Sequence, residues 1–377
     1  MRRRVRVLYY HYSQHFDTGS PRSLATLIDT LSQIQYEPLF WASGEGPLVA
    51  ELEKRGVGIV RGPVRSVSHR RPYTALRTIV EKAATLRRLK IDLLHLNDFG
   101  WNFDLALGAA LARVPIIVHA RTPIGSGRRN LNLHPARKLI FISHNLLDAT
   151  PLPERLRRKS VVLYNAVDLG KCGAGTSIRP QLGLDDSHVV IGTIAQISQR
   201  KGIDTLLDVA RLLVGGHGNL YFLVIGPPGV GEEAFAKAML AASEEAALHG
   251  RVRFLGTRSD IPDLLASMDI FLFPTRGEPF GRVVIEAMAA GVPVVASRIG
   301  GVPEIITSPE LGSLVTPDDV AGFVDALSLL IDRSDLRAAL ATRARESLTG
   351  RFDLATHGRR VDDIYCEVLG RRAAASA

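Results

Sequence analysis

Between residues 275 and 297 the chain reads TRGEPFGRVVIEAMAAGVPVVAS, which sets two carboxylates, Glu278 and Glu286, eight residues apart. They flank a turn at Phe280-Gly281 and the start of a helix, whose unbonded amides can cradle an anion or a sugar hydroxyl. Glu278 lies before that helix and Glu286 on its second turn, so both can face one ligand lying over the N-terminus. Carboxylates accept hydrogen bonds from sugar and ribose hydroxyls. Taken singly, each glutamate has a plainer reading: Glu278 as a charge favourable to the helix dipole, Glu286 as a solvated helix residue. Upstream, QISQRKGIDTLLDVARLL places Arg200 and Lys201 immediately before another helix. Two cations beside a positive dipole end suit a diphosphate.

Weaker signals lie in the first half. FDTGSPRSLATLIDTL puts Gly19 and Ser20 just before a helix, a turn where a phosphate can approach the backbone closely. His119 and Arg121 stand two apart at the end of an apolar run, hence on one face of a strand. A packed strand histidine explains His119 equally well. Asn97 and Asp98 follow another apolar run. Two lookalikes fail on chemistry: GPPGVGEE (226–233) has P-loop glycine spacing, but Glu232 and Glu233 stand where Lys and Ser/Thr are required, and His11 and His15 lack the helical H-E-x-x-H context of a zinc site.

Elements that would position these residues are legible as short aliphatic runs alternating with longer amphipathic stretches, the pattern of parallel sheets covered by helices. Strands are expected at 5–10, 38–43, 57–60, 92–96, 115–120, 138–143 and 160–165. A second series falls at 189–195, 220–226, 252–256, 269–274, 293–297 and 313–317. The stretch Pro72 to Lys90 has Leu76, Ile79, Val80, Ala83, Leu86 and Leu89 near helical spacing, with basic residues opposite. The pattern predicts two doubly wound α/β domains: residues 1–168, a weakly apolar linker at 169–187, and residues 188–352. A final helix, 353–370, carries Val361, Ile364, Tyr365 and Val368 on one face and is expected to cross back onto the first domain. In such sheets ligands sit beyond the carboxyl ends of the strands, so the loops after Ala195, Gly226, Gly256, Pro274 and Ser297 should carry the chemistry.

Composition bounds the classes. The 377 residues are 46% hydrophobic and 23% charged, and 34 glycines and 20 prolines are scattered, which excludes a disordered or repetitive chain. Cys172 and Cys366 stand far apart in no metal-ligand spacing, which argues against a disulfide framework or zinc knuckle and fits a reducing compartment. The start MRRRVRVLYYHY has too short an apolar run for a signal peptide, and no later run is long enough to span a membrane, so a cytoplasmic protein is expected. Residues 1–170 hold 26 Lys and Arg against 13 Asp and Glu, the remainder 21 against 25. The basic half suggests an anionic partner such as a lipid surface, a phosphorylated acceptor or nucleic acid; an ordinary solvated surface explains it equally well. Arg70, Arg71, Arg77, Arg87, Arg88, Arg128 and Arg129 make peripheral contact with an anionic membrane one expectation for the acceptor. No RNP-like or zinc-finger string supports nucleic acid.

EPFGRVVIE followed by AMAAGVPVVASRIGGVPEII resembles the E-x7-E signature of retaining glycosyltransferases of family 4, which have the GT-B fold of two Rossmann-like domains facing across a cleft, and the resemblance extends over most of the chain. It implies a sugar nucleotide as donor, a UDP-sugar foremost, and a small-molecule, glycan or lipid-linked hydroxyl acceptor, with no metal and no other cofactor. By the same resemblance Glu278 contacts the transferred sugar, the amides of Phe280, Gly281 and Arg282 hold sugar hydroxyls or phosphate, and Glu286 binds the ribose. Lys201-Gly202 matches the family's diphosphate-binding pair, while Gln196 stands where many members have arginine, a charge that Arg200 can supply. FLGTRSDIPDLLASMDI is similar to the family segment whose backbone, here at Thr257 and Arg258, meets the nucleobase, and the turn at Gly226 closes the same row of loops. Gly19 and Ser20 match the N-terminal glycine loop beside the donor phosphates. Either His119 or Arg121 takes the place of a histidine near the reacting sugar. A sugar-nucleotide epimerase or a non-catalytic sugar-nucleotide-binding protein on the same scaffold is the alternative.

Overall fold

Continuous apolar runs such as LLHL, IIVHA and IFLF have no polar alternation, so they can form strands only where both faces of the sheet are covered. The computed structural model describes residues 3–16, 19–32, 34–64, 72–98, 102–123 and 133–371 and has two compact units, Met1–Ala166 with Leu354–Ala377, and Val167–Asp353. Each unit is a parallel sheet with helices between its strands. Arg70, Arg71, Arg128 and Arg129 lie outside the described residues.

The first unit contains β1 (Val5–Tyr10), β2 (Tyr36–Ala42), β3 (Gly58–Arg61), β4 (Leu93–Leu96), β5 (Ile116–Ala120), β6 (Lys138–Phe141) and β7 (Ser160–Val162), in sheet order β3-β2-β1-β4-β5-β6-β7. Its core joins Val7, Tyr9, Leu24, Phe40, Leu93, Ile117 and Ile140. The helix Leu354–Leu369 adds Val361, Ile364 and Tyr365 to that core. Gly358 lets it approach closely: a Cβ there would lie 2.6 Å from the carbonyl oxygen of Thr30.

The helix Pro72–Arg88 departs from its expected apolar face. Ala83 and Leu86 are buried, but Leu76 and Val80 are exposed and Lys82 is turned inward, its ammonium 4.1 Å from the centre of the Trp41 ring. A lysine stem packs as a hydrophobe when its charge finds a π face and an acceptor, here the carbonyl of Pro63.

The second unit contains β8 (Val189–Ile194), β9 (Leu220–Ile225), β10 (Val252–Gly256), β11 (Ile270–Phe273), β12 (Val294–Ser297) and β13 (Ser313–Val315), in order β10-β9-β8-β11-β12-β13. Its core includes Ile191, Leu206, Phe222, Val224, Ile270, Leu272, Val295 and Phe323. Most strands are one to three residues shorter than expected, β4, β5 and β12 at their first residue and others, such as β6, β8, β9 and β13, at their last. Pro274, which has no N–H to give the ladder, ends β11.

The stretch 169–187 has more structure than a linker. Asp168 caps a short helix, Leu169–Cys172, by accepting from the Lys171 amide at 2.9 Å, and a 3-10 turn follows at Arg179–Leu182. Side chains of the second unit hold this stretch: Asp263 accepts from the Thr176 amide, Ser267 from that of Ile178, and Asp269 pairs with Arg179 at 2.5 Å. These partners are distant in sequence, so composition alone reads the segment as a connector. Among the described residues no helix is long and apolar enough to cross a membrane.

Candidate functional site

The second sheet has one topological switch point. The chain leaves β8 for β9 and β10 on one side, then returns to place β11 on the other side of β8. Loops from β8 and β11 therefore diverge at their carboxyl ends and leave room for a ligand. Ile191 pairs with Ile270 and Gly192 with Phe271, which brings the two loops level.

The β8 loop ends in a 3-10 turn, Gln199–Lys201, ahead of the helix Ile203–Val214. Lys201 reaches across to Glu278 on the β11 loop, Nζ to Oε2 2.6 Å, with the two side chains only 12% and 15% exposed. Its ammonium also lies 5.0 Å from the centre of the Phe273 ring. An ammonium carries three donors, so one bond to Glu278 leaves capacity for phosphate oxygens. Arg200 sends Nη1 to the carbonyl of Gly277 at 2.6 Å while its side chain edge stays in solvent. Two cations and a carboxylate thus converge from neighbouring strands.

Two glycines make this approach sterically possible. Gly202 has φ +66°, and a Cβ there would lie 2.0 Å from the carbonyl oxygen of Pro274. Gly300 has φ +57°, and a Cβ would lie 1.7 Å from the carbonyl oxygen of Glu278. Only glycine satisfies both the left-handed backbone and the contact. Gly301 then donates its amide to that same Glu278 carbonyl at 3.2 Å.

Gly281 precedes the helix Arg282–Ala289, and Glu286 lies one turn beyond Arg282, whose Nη2 is 3.5 Å from Oε1 of Glu286. The Phe280 ring is buried edge-on against Phe352, so this residue offers its backbone rather than its ring; its amide lies 3.4 Å from Oε1 of Glu278. Burial, reinforced by the nearby Glu286 charge, pushes the Cys172 thiol up to about 12. Gln196, Gly226, Thr257 and Arg258 follow in a row on the loops after β8, β9 and β10. The Gly226 amide bonds the Gly256 carbonyl at 2.9 Å, and Arg258 pairs with Asp260 at 2.5 Å.

The sequence candidates of the first unit have a different setting. Gly19 and Ser20 open the helix Gly19–Thr30, and Asn97 donates to Ser20 at 3.4 Å. Arg121 is buried, with Nε on Asn97 at 2.9 Å and Nη1 on Asn165. His119 is fully enclosed, Nδ1 lying 3.3 Å from both His95 and Arg121, and it presents no surface to a ligand in this arrangement. This enclosure fits the packed strand histidine that its place in the sequence also allowed. His95 continues the chain to the Tyr365 hydroxyl at 2.7 Å, and Tyr365 to Tyr9 at 3.2 Å. Burial, reinforced by the Arg121 charge, pushes His95 down to about 3 and His119 well below the usual histidine range.

Sequence reasoning passed over Arg276, Asp204 and Asp318. Arg276 lies inside the quoted string, but nothing in its spacing says that its side chain turns back toward the β8 loop. Ser198 was also missed: its hydroxyl is buried at the base of the cation loop, without a hydrogen-bond partner. Among the described residues no group of three His, Cys, Asp or Glu side chains could hold a metal ion.

Comparison with known proteins bears on the family and the fold. The profile of "Glycosyl transferases group 1" matches residues 176–347 and that of "Glycosyltransferase Family 4" residues 18–171. The chain belongs to the group 1/family 4 type of glycosyltransferases. It is 30% identical over 192 residues, 50% of its length, to the lipopolysaccharide core biosynthesis mannosyltransferase LpsB of Rhizobium meliloti. It is 27% identical over 231 residues, 60% of its length, to the N-acetyl-alpha-D-glucosaminyl L-malate synthase of Bacillus anthracis. The chain spans little more than half the length of these curated relatives, 55% and 59% respectively. Anabaena HepE, solved with UDP and glucose, superimposes with a TM-score of 0.81 at 23% identity, over 95% of this chain and 98% of that one. A glycosyltransferase of Rickettsia africae gives 0.86 at 18% identity over 98% and 100%. The fold is GT-B.

Proposed function

We propose that the protein is a retaining glycosyltransferase that moves a hexose-type sugar from a nucleotide diphosphate sugar, a UDP-sugar foremost, to an acceptor hydroxyl, without a required metal ion. The observation that carries the reading is the meeting of Arg200, Lys201 and Glu278 at the switch point between β8 and β11. Support comes from the relative named as a lipopolysaccharide core mannosyltransferase and from HepE, which was crystallised with UDP and glucose.

In this reading the bond from the anomeric carbon to the diphosphate oxygen breaks as the acceptor oxygen bonds that carbon from the same face. The acceptor proton passes to the departing phosphate. Negative charge grows on the diphosphate, where Arg200, Lys201 and the helix-terminal amides stabilise it more in the transition state than in the ground state. Those cations replace a divalent ion. Glu278 binds a sugar hydroxyl while orienting Lys201, and Glu286 binds the ribose.

The test is a thermal-shift and transfer panel of UDP-, GDP-, ADP- and dTDP-sugars, with and without chelator, on the wild type and Glu286→Ala. A donor far above its dissociation constant stabilises the chain by about 3 kcal/mol, which is readily seen. Stabilisation by one donor in the presence of chelator, lost in the variant, is the expected result. No stabilisation by any donor overturns the reading, and binding with no transfer to any hydroxyl leaves a sugar-nucleotide-binding protein instead.

A further inference from the structure

The two loops of the site are held at a fixed separation by a residue that belongs to neither the cation pair nor the carboxylates. Arg276 projects from the β11 loop and uses all five of its guanidinium donors. Nε bonds Asp318 at 2.7 Å, Nη1 bonds the Gln199 carbonyl at 2.6 Å and Asp204 at 2.8 Å, and Nη2 bonds Asp204 at 3.0 Å and the Thr205 hydroxyl at 3.1 Å. Its own backbone amide donates to the Arg200 carbonyl at 2.8 Å, and Thr275 donates its hydroxyl to the same oxygen at 3.0 Å. The Gln199 and Arg200 carbonyls, which lead directly into Lys201, are therefore tied to the loop that carries Glu278. Asp318, a non-glycine residue with φ +65°, completes the clamp and also accepts from Thr205 at 3.2 Å.

We infer that Arg276 is a positioning residue that sets where Arg200 and Lys201 present their charge to the donor diphosphate. With its donors committed to protein oxygens it is not itself a phosphate ligand. Its planar fork matches the Asp204 carboxylate side by side while Nε serves Asp318, a geometry that a lysine's point charge cannot reproduce. The bidentate pairing also anchors the first turn of the helix Ile203–Val214, so the cation turn is fixed at both of its ends. Displacing a binding group by even an ångström is costly where charge must be met in a set place.

This inference rests on the diphosphate reading of the site, so the test uses two readouts on the full chain, with Arg276→Lys and Arg276→Gln both confirmed as folded by their melting curves. The first is binding of UDP against uridine, and of ADP against adenosine where ADP is the nucleotide that the wild type binds. The second, in unliganded protein, is amide exchange of residues 199–202. Expected are a loss of about tenfold or more in diphosphate affinity with nucleoside affinity unchanged, faster exchange of the 199–202 amides, and little rescue by the lysine. Equal diphosphate affinity in the wild type and both variants overturns the inference while the proposed function stands. Equal loss for nucleoside and diphosphate overturns it as well, since that marks a general structural role. A wild type that binds no nucleoside diphosphate overturns the proposed function; faster 199–202 exchange in the variants then upholds Arg276 as the clamp of that turn, and unchanged exchange overturns that role as well.

Discussion

The molecule handles charge in two opposite ways. At the β8 and β11 loops of the second unit, Arg200 is exposed and Lys201, Glu278 and Glu286 are partly exposed, Lys201 pairing with Glu278 and Glu286 lying near Arg282, so a ligand can exchange contacts with them at modest desolvation cost. In the first unit, His95, His119, Arg121 and Tyr365 are sealed inside the sheet and its C-terminal helix, and their hydrogen bonds run from one to the next. There the histidines stay neutral because a charged form would lose its hydration. A polar cluster poised for a ligand and one that specifies a core thus share residue types and differ in exposure.

Substitution at the second-unit cluster should break function first. Lys201→Ala or Glu278→Ala is expected to lower transfer by roughly 10²–10³-fold, the loss seen when one stabilising donor is removed from a developing anion; steady-state kinetics with the best donor measure it. Turnover within a factor of about two of the wild type would remove the cation pair from the mechanism.

The first-unit cluster should reveal itself through acid sensitivity. His95 titrates near 3 in the folded chain and near the ordinary histidine value when unfolded, so below about 6.5 the unfolded chain binds the extra proton. Its contribution is complete above that value and falls by up to about 1.4 kcal/mol per pH unit on acidification, roughly 2 kcal/mol by pH 5. His119 adds in the same direction. Urea unfolding from pH 8 to pH 5 reads this loss, and a flat profile would mean that these histidines are charged in the native state.

Two glycines sharpen the comparison at smaller amplitude. Gly300 and Gly183 both have left-handed backbones, but only at Gly300 would a Cβ collide with a carbonyl; at Gly183 nothing lies within 4 Å. Gly300→Ala should cost about 2 kcal/mol or more and weaken donor binding, while Gly183→Ala should cost about 1 kcal/mol and leave binding intact. Chemical denaturation with donor titration separates the two. The smallest effect is expected at Arg258, whose pair with Asp260 is about a third exposed and screened by solvent: Arg258→Ala should leave the urea midpoint close to that of the wild type.

Sequence alone carried the alternating apolar runs, and with them two doubly wound sheets, because strands covered on both faces must be apolar throughout. It also carried Glu278, Lys201 and the glycines around them, since these lie in compact strings whose residue types fit a phosphate and a sugar. Only the tertiary structure decided which polar residues are open and which enclosed. His119 lies at the end of β5 and Lys201 on the loop that follows β8, yet one is sealed and the other partly exposed. Only it showed Asp168 capping a helix in a stretch that reads as linker, and Arg276 gathering Gln199, Asp204 and Asp318 from across the chain. The physical reason is the range of the signal. Periodicity and turn chemistry are local and survive in one dimension, whereas burial and side-chain pairing depend on partners tens or hundreds of residues away, and any of several arginines or aspartates could fill those roles until the chain folds.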